Sequence, residues 1–250
     1  MNLVITIMAA GEGKRMKSNI PKVLHHVDNI PMIVRIIKEV ELLNPIQIIV
    51  IVNKNNKSII QSCIRKYIYR PILFVLQTEQ LGTGNAIKCA LPYYLKNDNI
   101  LIVNGDMPLI TANTLQKIIN NGSDTILVAN IDNPFGYGRV LFDEQNFIHA
   151  IKEEKECSDI EQQIKIVNTG VYFLKYETLQ RFIPKIKNKN NAKEYYLTDI
   201  VKLVNKRSLL SCWQKPIELK AIVLDKEFLH EIIGVNTPEE LTTVNKLVCN

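Results

Sequence analysis

The residues with the clearest chemical bearing are Ala9-Ala10-Gly11-Glu12-Gly13-Lys14-Arg15-Met16, which follow a short apolar run directly. Glycines in a turn behind a first strand let backbone N–H groups come close to a phosphate, and Lys14 and Arg15 add positive charge. The same Gly-x-Gly also makes a plain tight turn. Spacing excludes two phosphate signatures. No GxxxxGK[ST] is present, and a dinucleotide fingerprint needs a third glycine where Met16 stands and an acid at the end of Ile46–Asn53. Metal chemistry on sulfur or imidazole is disfavoured too. Cys63, Cys89, Cys157, Cys212 and Cys249 form no CxxC, and the four histidines have no ligand spacing. His149 and His230 read as structural, and His25 carries no assigned chemistry.

A turn of this kind works only behind a buried strand, and the chain supplies a series of them. Leu3–Met8, Ile46–Asn53, Ile72–Leu76, Ile100–Val103 and Thr125–Ile131 are short runs rich in Val and Ile, the pattern of strands covered on both faces. Met32–Leu43, Ser58–Tyr67, Gly84–Leu95 and Thr111–Asn121 lie between them with helical periodicity. This alternation predicts a mostly parallel sheet with helices on both faces, an α/β fold. Arg139–Phe142, Phe147–Lys152 and Lys165–Leu174 then read as strands of a small antiparallel subsidiary sheet. Helices are expected again over Tyr176–Ile183, Leu197–Asn205 and Pro238–Leu247. No repeat or long linker divides the 250 residues, so one domain over 1–250 is expected.

The formal net charge of +6 suits anionic partners in general. Lysine is spread along the whole chain, however, and no basic stripe interleaved with aromatics supports nucleic-acid binding. No apolar run reaches 18 residues, so no membrane span is expected. Met1–Ala10 lacks a basic leader and reads as the first strand, and the odd cysteine count fits a reducing compartment. A cytoplasmic protein is expected.

Ser18-Asn19-Ile20-Pro21-Lys22-Val23-Leu24-His25 extends the glycine turn into GxGxRMxSxxPKVLH. That segment resembles the signature of the N-acetylglucosamine-1-phosphate uridyltransferases, among the sugar-nucleotide pyrophosphorylases. Further segments follow in the family's order over essentially the whole chain. They are Gln77-Thr78-Glu79-Gln80-Leu81-Gly82-Thr83-Gly84-Asn85-Ala86, Asn104-Gly105-Asp106-Met107-Pro108-Leu109, Gly136-Tyr137-Gly138-Arg139-Val140, Glu153-Glu154-Lys155, Asn168-Thr169-Gly170-Val171-Tyr172, Glu194-Tyr195-Tyr196-Leu197-Thr198-Asp199 and Gly234-Val235-Asn236-Thr237. The resemblance implies a three-layer, Rossmann-like nucleotide-diphospho-sugar transferase fold. It also implies transfer of the uridylyl group of UTP to N-acetylglucosamine 1-phosphate.

The same resemblance implies roles for individual residues. Ala10, Gly11 and Gly13 would cradle the nucleotide, Arg15 would steady the leaving pyrophosphate, and Lys22 would contact the sugar phosphate or the transition state. Gln77, whose amide both donates and accepts, would read the uracil edge with Gly82 and Thr83. Asp106 and Asn236 would hold Mg²⁺, and Gly138, Glu153 and Asn168 would contact the sugar. Read alone, Gln77 is equally a surface amide, Thr83 an N-cap, Asp106 a turn residue before Pro108, and Asn236 the start of the last helix. Asn104 stands where the family usually has an aromatic residue, which keeps glucose 1-phosphate or another N-acetyl sugar phosphate open as substrate. A nucleotide-sugar sensor on the same fold would be expected to lose its charged residues, whereas Arg15, Lys22, Asp106 and Asn236 are all present. The family's bifunctional bacterial members continue into an acetyltransferase β-helix that also trimerises them. For this chain a monomer or small homodimer without that second activity is expected.

Overall fold

A computed structural model describes residues 1–208 and 217–249. In chain order the elements are β1 (Asn2–Met8), β2 (His26–Val27), β3 (Ile30–Pro31), α1 (Met32–Glu41), β4 (Gln47–Asn53), α2 (Lys57–Ile64) and β5 (Leu73–Gln77). There follow α3 (Thr83–Ala90), β6 (Asp98–Asn104), α4 (Ala112–Asn120), β7 (Asp124–Asn130), β8 (Arg139–Phe142), β9 (Ile148–Lys152) and α5 (Asp159–Gln162). The last are β10 (Ile166–Lys175), α6 (Tyr176–Phe182), α7 (Asp199–Ser208), β11 (Leu219–Val223) and α8 (Pro238–Cys249).

Successive strand residues point to opposite faces, so runs such as Ile48–Val52 feed two cores at once. Ile5, Ile7, Val50 and Leu101 pack with Ile33, Ile36 and Ile37 of α1, Ile60 of α2 and Leu115 and Ile118 of α4. Val4, Ile49, Ile51 and Ile102 pack on the other face with Ile87 of α3, Phe182 of α6 and Ile200 and Val201 of α7. The three layers expected from the alternation are therefore present.

The sheet runs β11-β7-β10-β6-β1-β4-β5, and β8 and β9 extend it off β10. β6, β1, β4 and β5 are mutually parallel, as are β11 and β7. The strand expected over Lys165–Leu174 is β10, and it sits inside the main sheet, antiparallel to both β6 and β7. Of the three strands expected in the subsidiary sheet, β8 and β9 stand off as an antiparallel extension. The expected helix Gly84–Leu95 stops at Ala90, because Pro92 cannot continue the hydrogen-bond ladder and a short 3₁₀ turn follows. The β2–β3 hairpin turns through Asp28 and Asn29, both left-handed at φ +49° and +60°, as a two-residue primed turn requires. Among the described residues no helix is long and apolar enough to cross a membrane.

Candidate active site

The parallel strands β1, β4, β5 and β6 all deliver their carboxyl ends to one crevice, where open α/β sheets bind ligands. The Ala9–Gly11 turn leaves β1 there, and two buried amides fix it: Asn53 Nδ2 donates to the Ala10 carbonyl at 2.8 Å and Asn56 Nδ2 to the Ala9 carbonyl at 2.9 Å. Gly13 has φ +64°, and a Cβ on it would lie 2.7 Å from the Lys22 Cβ. Glycine there lets the turn press directly on Lys22. Arg15 is exposed at the rim of a hollow that Gly13, Lys14, Lys22 and Asn236 also line.

Lys22, Asp106 and Asn236 meet although 214 residues separate the first from the last. The Lys22 ammonium makes an ion pair with the Asp106 carboxylate and donates to Asn236 Oδ1 at 2.8 Å. Their lysine and aspartate side chains are only 14% and 19% exposed. The last helix supplies Asn236 without using it as a cap. Thr237 Oγ1 accepts from the Glu240 N–H at 3.2 Å, and Glu240 Oε2 accepts from Thr237 N at 2.9 Å and Asn236 N at 2.6 Å. This reciprocal capping leaves the Asn236 side chain to face Lys22. Asp106 in turn anchors the same segment, since its carbonyl accepts from Val235 N at 2.9 Å.

Two oxygens of different residues thus converge on a point that already carries a positive charge. Hard oxygen donors arranged in this way suit a small divalent cation, which would take the point that the Lys22 ammonium fills here and leave that ammonium for a phosphate. Among the described residues no three His, Cys, Asp or Glu gather to hold a metal, so an ion here would complete its shell with water and phosphate.

On one side of Asp106 a cleft of about 310 Å³ is lined by Ala10, Gly11, Gln77, Gly82 and Thr83. Gln77 ends β5 and is buried; its Nε2 donates to the Gly82 carbonyl at 3.0 Å and to Asn85 Oδ1 at 2.9 Å. Both amide hydrogens are therefore used inside the protein, and Oε1 is left to the cleft. Thr83 is not the cap of α3. Gly82 holds that position at φ +100°, and Thr83 Oγ1 accepts from Leu197 N at 3.0 Å. Gly84 N also donates to the Tyr195 carbonyl at 2.7 Å. This end of α3 is pinned to the Tyr195–Leu197 segment, and fewer of its N–H groups are open to a ligand than the sequence suggested.

On the other side a larger hollow of about 470 Å³ is lined by Gly138, Glu153, Asn168, Gly170 and Tyr172. The register of β10 against β7 shifts between Asn168 and Tyr172, with Gly170 at φ +83°, and the bulge turns this strand into the hollow. Asn168 Oδ1 accepts from Gly170 N and Tyr172 Oη, each at 3.1 Å, which leaves its amide N–H groups for a ligand. Glu153 accepts from Thr198 Oγ1 at 2.9 Å. Burial raises its pKa, and Asp199, Glu194 and Glu156 push in the same direction against the Thr198 hydrogen bond. Asn104, Thr83, Met8 and Asp106 line both cavities, so Asp106 stands where they join.

The model of the MobA-like NTP transferase domain matches residues 5–163, more than half of the chain. The chain belongs to the MobA-like NTP transferase family. This nucleotidyltransferase is 42% identical to the probable UDP-N-acetylglucosamine pyrophosphorylase of Acanthamoeba polyphaga mimivirus, over 98% of this chain and 96% of that one. It is 37% identical to the bifunctional protein GlmU of Gloeothece citriformis over 99% of its own length, and it spans about half, 52%, of that relative. The fold is similar to that of a UDP-glucose pyrophosphorylase solved with UDP-glucose, at TM-score 0.75 and 16% identity, with 100% of this chain and 99% of that one covered. Every residue that the sequence assigned to nucleotide, sugar or metal lies in the crevice or on its rim. Asn53, Asn56, Asn85 and Asn104 were not assigned. A polar residue closing a buried strand is the signal that could have found Asn53 and Asn104.

Proposed function

We propose that the chain transfers the uridylyl group of UTP to N-acetyl-α-D-glucosamine 1-phosphate, giving UDP-N-acetylglucosamine and pyrophosphate, within a single domain over 1–250. One observation carries the reading: Asp106, with Lys22 and Asn236 against it, lies where the nucleotide-sized cleft and the larger polar hollow join. The identity to the mimivirus pyrophosphorylase supports the choice of substrates. The cytoplasm, where nucleoside triphosphates are made, is the compartment this reading implies.

In the reaction an oxygen of the sugar phosphate attacks the α-phosphorus of UTP. The bond from that phosphorus to the bridging oxygen breaks, and pyrophosphate leaves in line. No protein nucleophile is needed, so catalysis consists of positioning and charge neutralisation. The Gly11–Gly13 turn takes the triphosphate, and Arg15 at the rim steadies the departing pyrophosphate. Lys22 places its ammonium beside the transferring phosphorus. Gln77 offers a carbonyl to the only donor on the uracil edge, N3–H. In the hollow Gly138 leaves room for the sugar, Glu153 accepts from a hydroxyl, and the Asn168 amide donates. Asp106 and Asn236 would hold Mg²⁺, which when bound neutralises phosphate charge and fixes the phosphates' geometry.

The test is pyrophosphate release by purified protein with Mg²⁺, each nucleoside triphosphate and a panel of sugar 1-phosphates. The expected result is release with UTP and N-acetylglucosamine 1-phosphate well above every other pair. Faster release with glucose 1-phosphate would transfer the reading to the second substrate, which the Asn104 amide at the junction leaves room for. No release with any pair would overturn it.

A further inference from the structure

We infer that Asn85 is a positioning residue that sets the choice of uracil over cytosine by fixing which face of the Gln77 amide meets the base; this rests on the reading of the crevice as a UTP site. The Gly82 oxygen is a backbone carbonyl, so the Gln77 group 3.0 Å from it must be the amide nitrogen. The Asn85 atom 2.9 Å from that nitrogen must then be Oδ1. Turning the Gln77 amide over would set its oxygen against the Gly82 carbonyl and, with Asn85 as it stands, against Oδ1 as well.

Asn85 is the second of the two holds: the Gly82 carbonyl sets the direction, and Asn85 Oδ1 takes the remaining Gln77 amide hydrogen. The Gly82 carbonyl is shared, because it also accepts from Ala86 N at 3.1 Å within α3. Asn85 lies in the first turn of α3, and that turn is itself clamped by Gly84 N on the Tyr195 carbonyl. Gln77 is therefore held as an acceptor only. Uracil satisfies it with N3–H. Cytosine has a lone pair at N3, and would have to slide until its amino group took that place.

The test is kcat/KM for UTP and for CTP, each with N-acetylglucosamine 1-phosphate, on the full chain and on Asn85→Ala, Asn85→Leu and Asn85→Asp. Alanine favours a helix and lacks the acceptor, leucine fills the volume without it, and aspartate keeps it. Loss of the acceptor should lower the UTP-to-CTP ratio about three- to tenfold, the worth of one neutral hydrogen bond, with the melting temperature lowered by no more than about a few degrees. Asn85→Asp should keep the ratio within about twofold even if its charge slows both substrates alike. A ratio unchanged in both Asn85→Ala and Asn85→Leu, with wild-type preference for UTP intact, overturns the role of Asn85 and leaves the proposed function standing. Wild-type protein that does not prefer UTP overturns that function, and this inference with it.

Discussion

At the scale of single residues the crevice concentrates groups held against their own preference. Glu153 is the clearest. Burial and the neighbouring carboxylates disfavour its charge, so the folded protein holds its proton more tightly than the unfolded chain does. The stability linked to Glu153 is full below the ordinary glutamate range and is lost as pH rises through its raised value. Glu153→Gln keeps the Thr198 contact geometry and removes the charge. It should melt with wild type in acid and increasingly above it towards neutral pH, while losing sugar-dependent turnover. Thermal melts across pH check this, and a gap between the two proteins that does not change with pH would contradict it. The residues that meet around Asp106 or line the crevice beside it were legible, because Lys22, Gln77, Asp106 and Asn236 stand in segments whose order is distinctive. Asn53, Asn56 and Asn85 were not, because each acts through a carbonyl or amide brought to it by the fold, up to 47 residues away for Asn56.

At the scale of elements, the strand ends and the turns behind them decide where those residues stand. Gly13 is the test of that statement, since its left-handed φ and the approach of Lys22 both exclude a side chain. Gly13→Ala should push Lys22 away from Asp106 and Asn236. Turnover should fall about 10²-fold, as for loss of one electrostatic contact at the transition state. The melting temperature should drop by only a few degrees, since one strained residue costs about 1–2 kcal/mol. Near-normal pyrophosphate release from a well-folded Gly13→Ala would contradict this placement. The parallel strands were legible from their Val- and Ile-rich runs, and Asp28-Asn29 is the local turn signal of the β2–β3 hairpin. β11 was missed because its half-exposed edge pattern is weak. The place of β10 inside the sheet was not legible either, because a strand's own sequence does not name its neighbours.

At the scale of the whole molecule, two long-range closures make the site. α8 and the segment before it pack Val235 and Val244 onto Met16, Val27 and Met32, which brings Asn236 from the end of the chain to the glycine turn at its beginning. The bulged β10 brings Asn168 to the other side of Asp106. The family's segments were legible in order, but only the fold puts the cleft lined by Gln77 and the hollow lined by Glu153 and Asn168 against one carboxylate. Direct transfer between two bound substrates across Asp106 is therefore expected. The most direct measurement follows the phosphorus labels of UTP during turnover with N-acetylglucosamine 1-phosphate, for wild type and Asp106→Asn. The α-label should appear in UDP-N-acetylglucosamine and the γ-label in pyrophosphate, with none on the protein, and Asp106→Asn should slow both by about 10²-fold or more while melting normally. An α-label that stays on the protein or leaves as UMP, or wild-type transfer by Asp106→Asn, would contradict it.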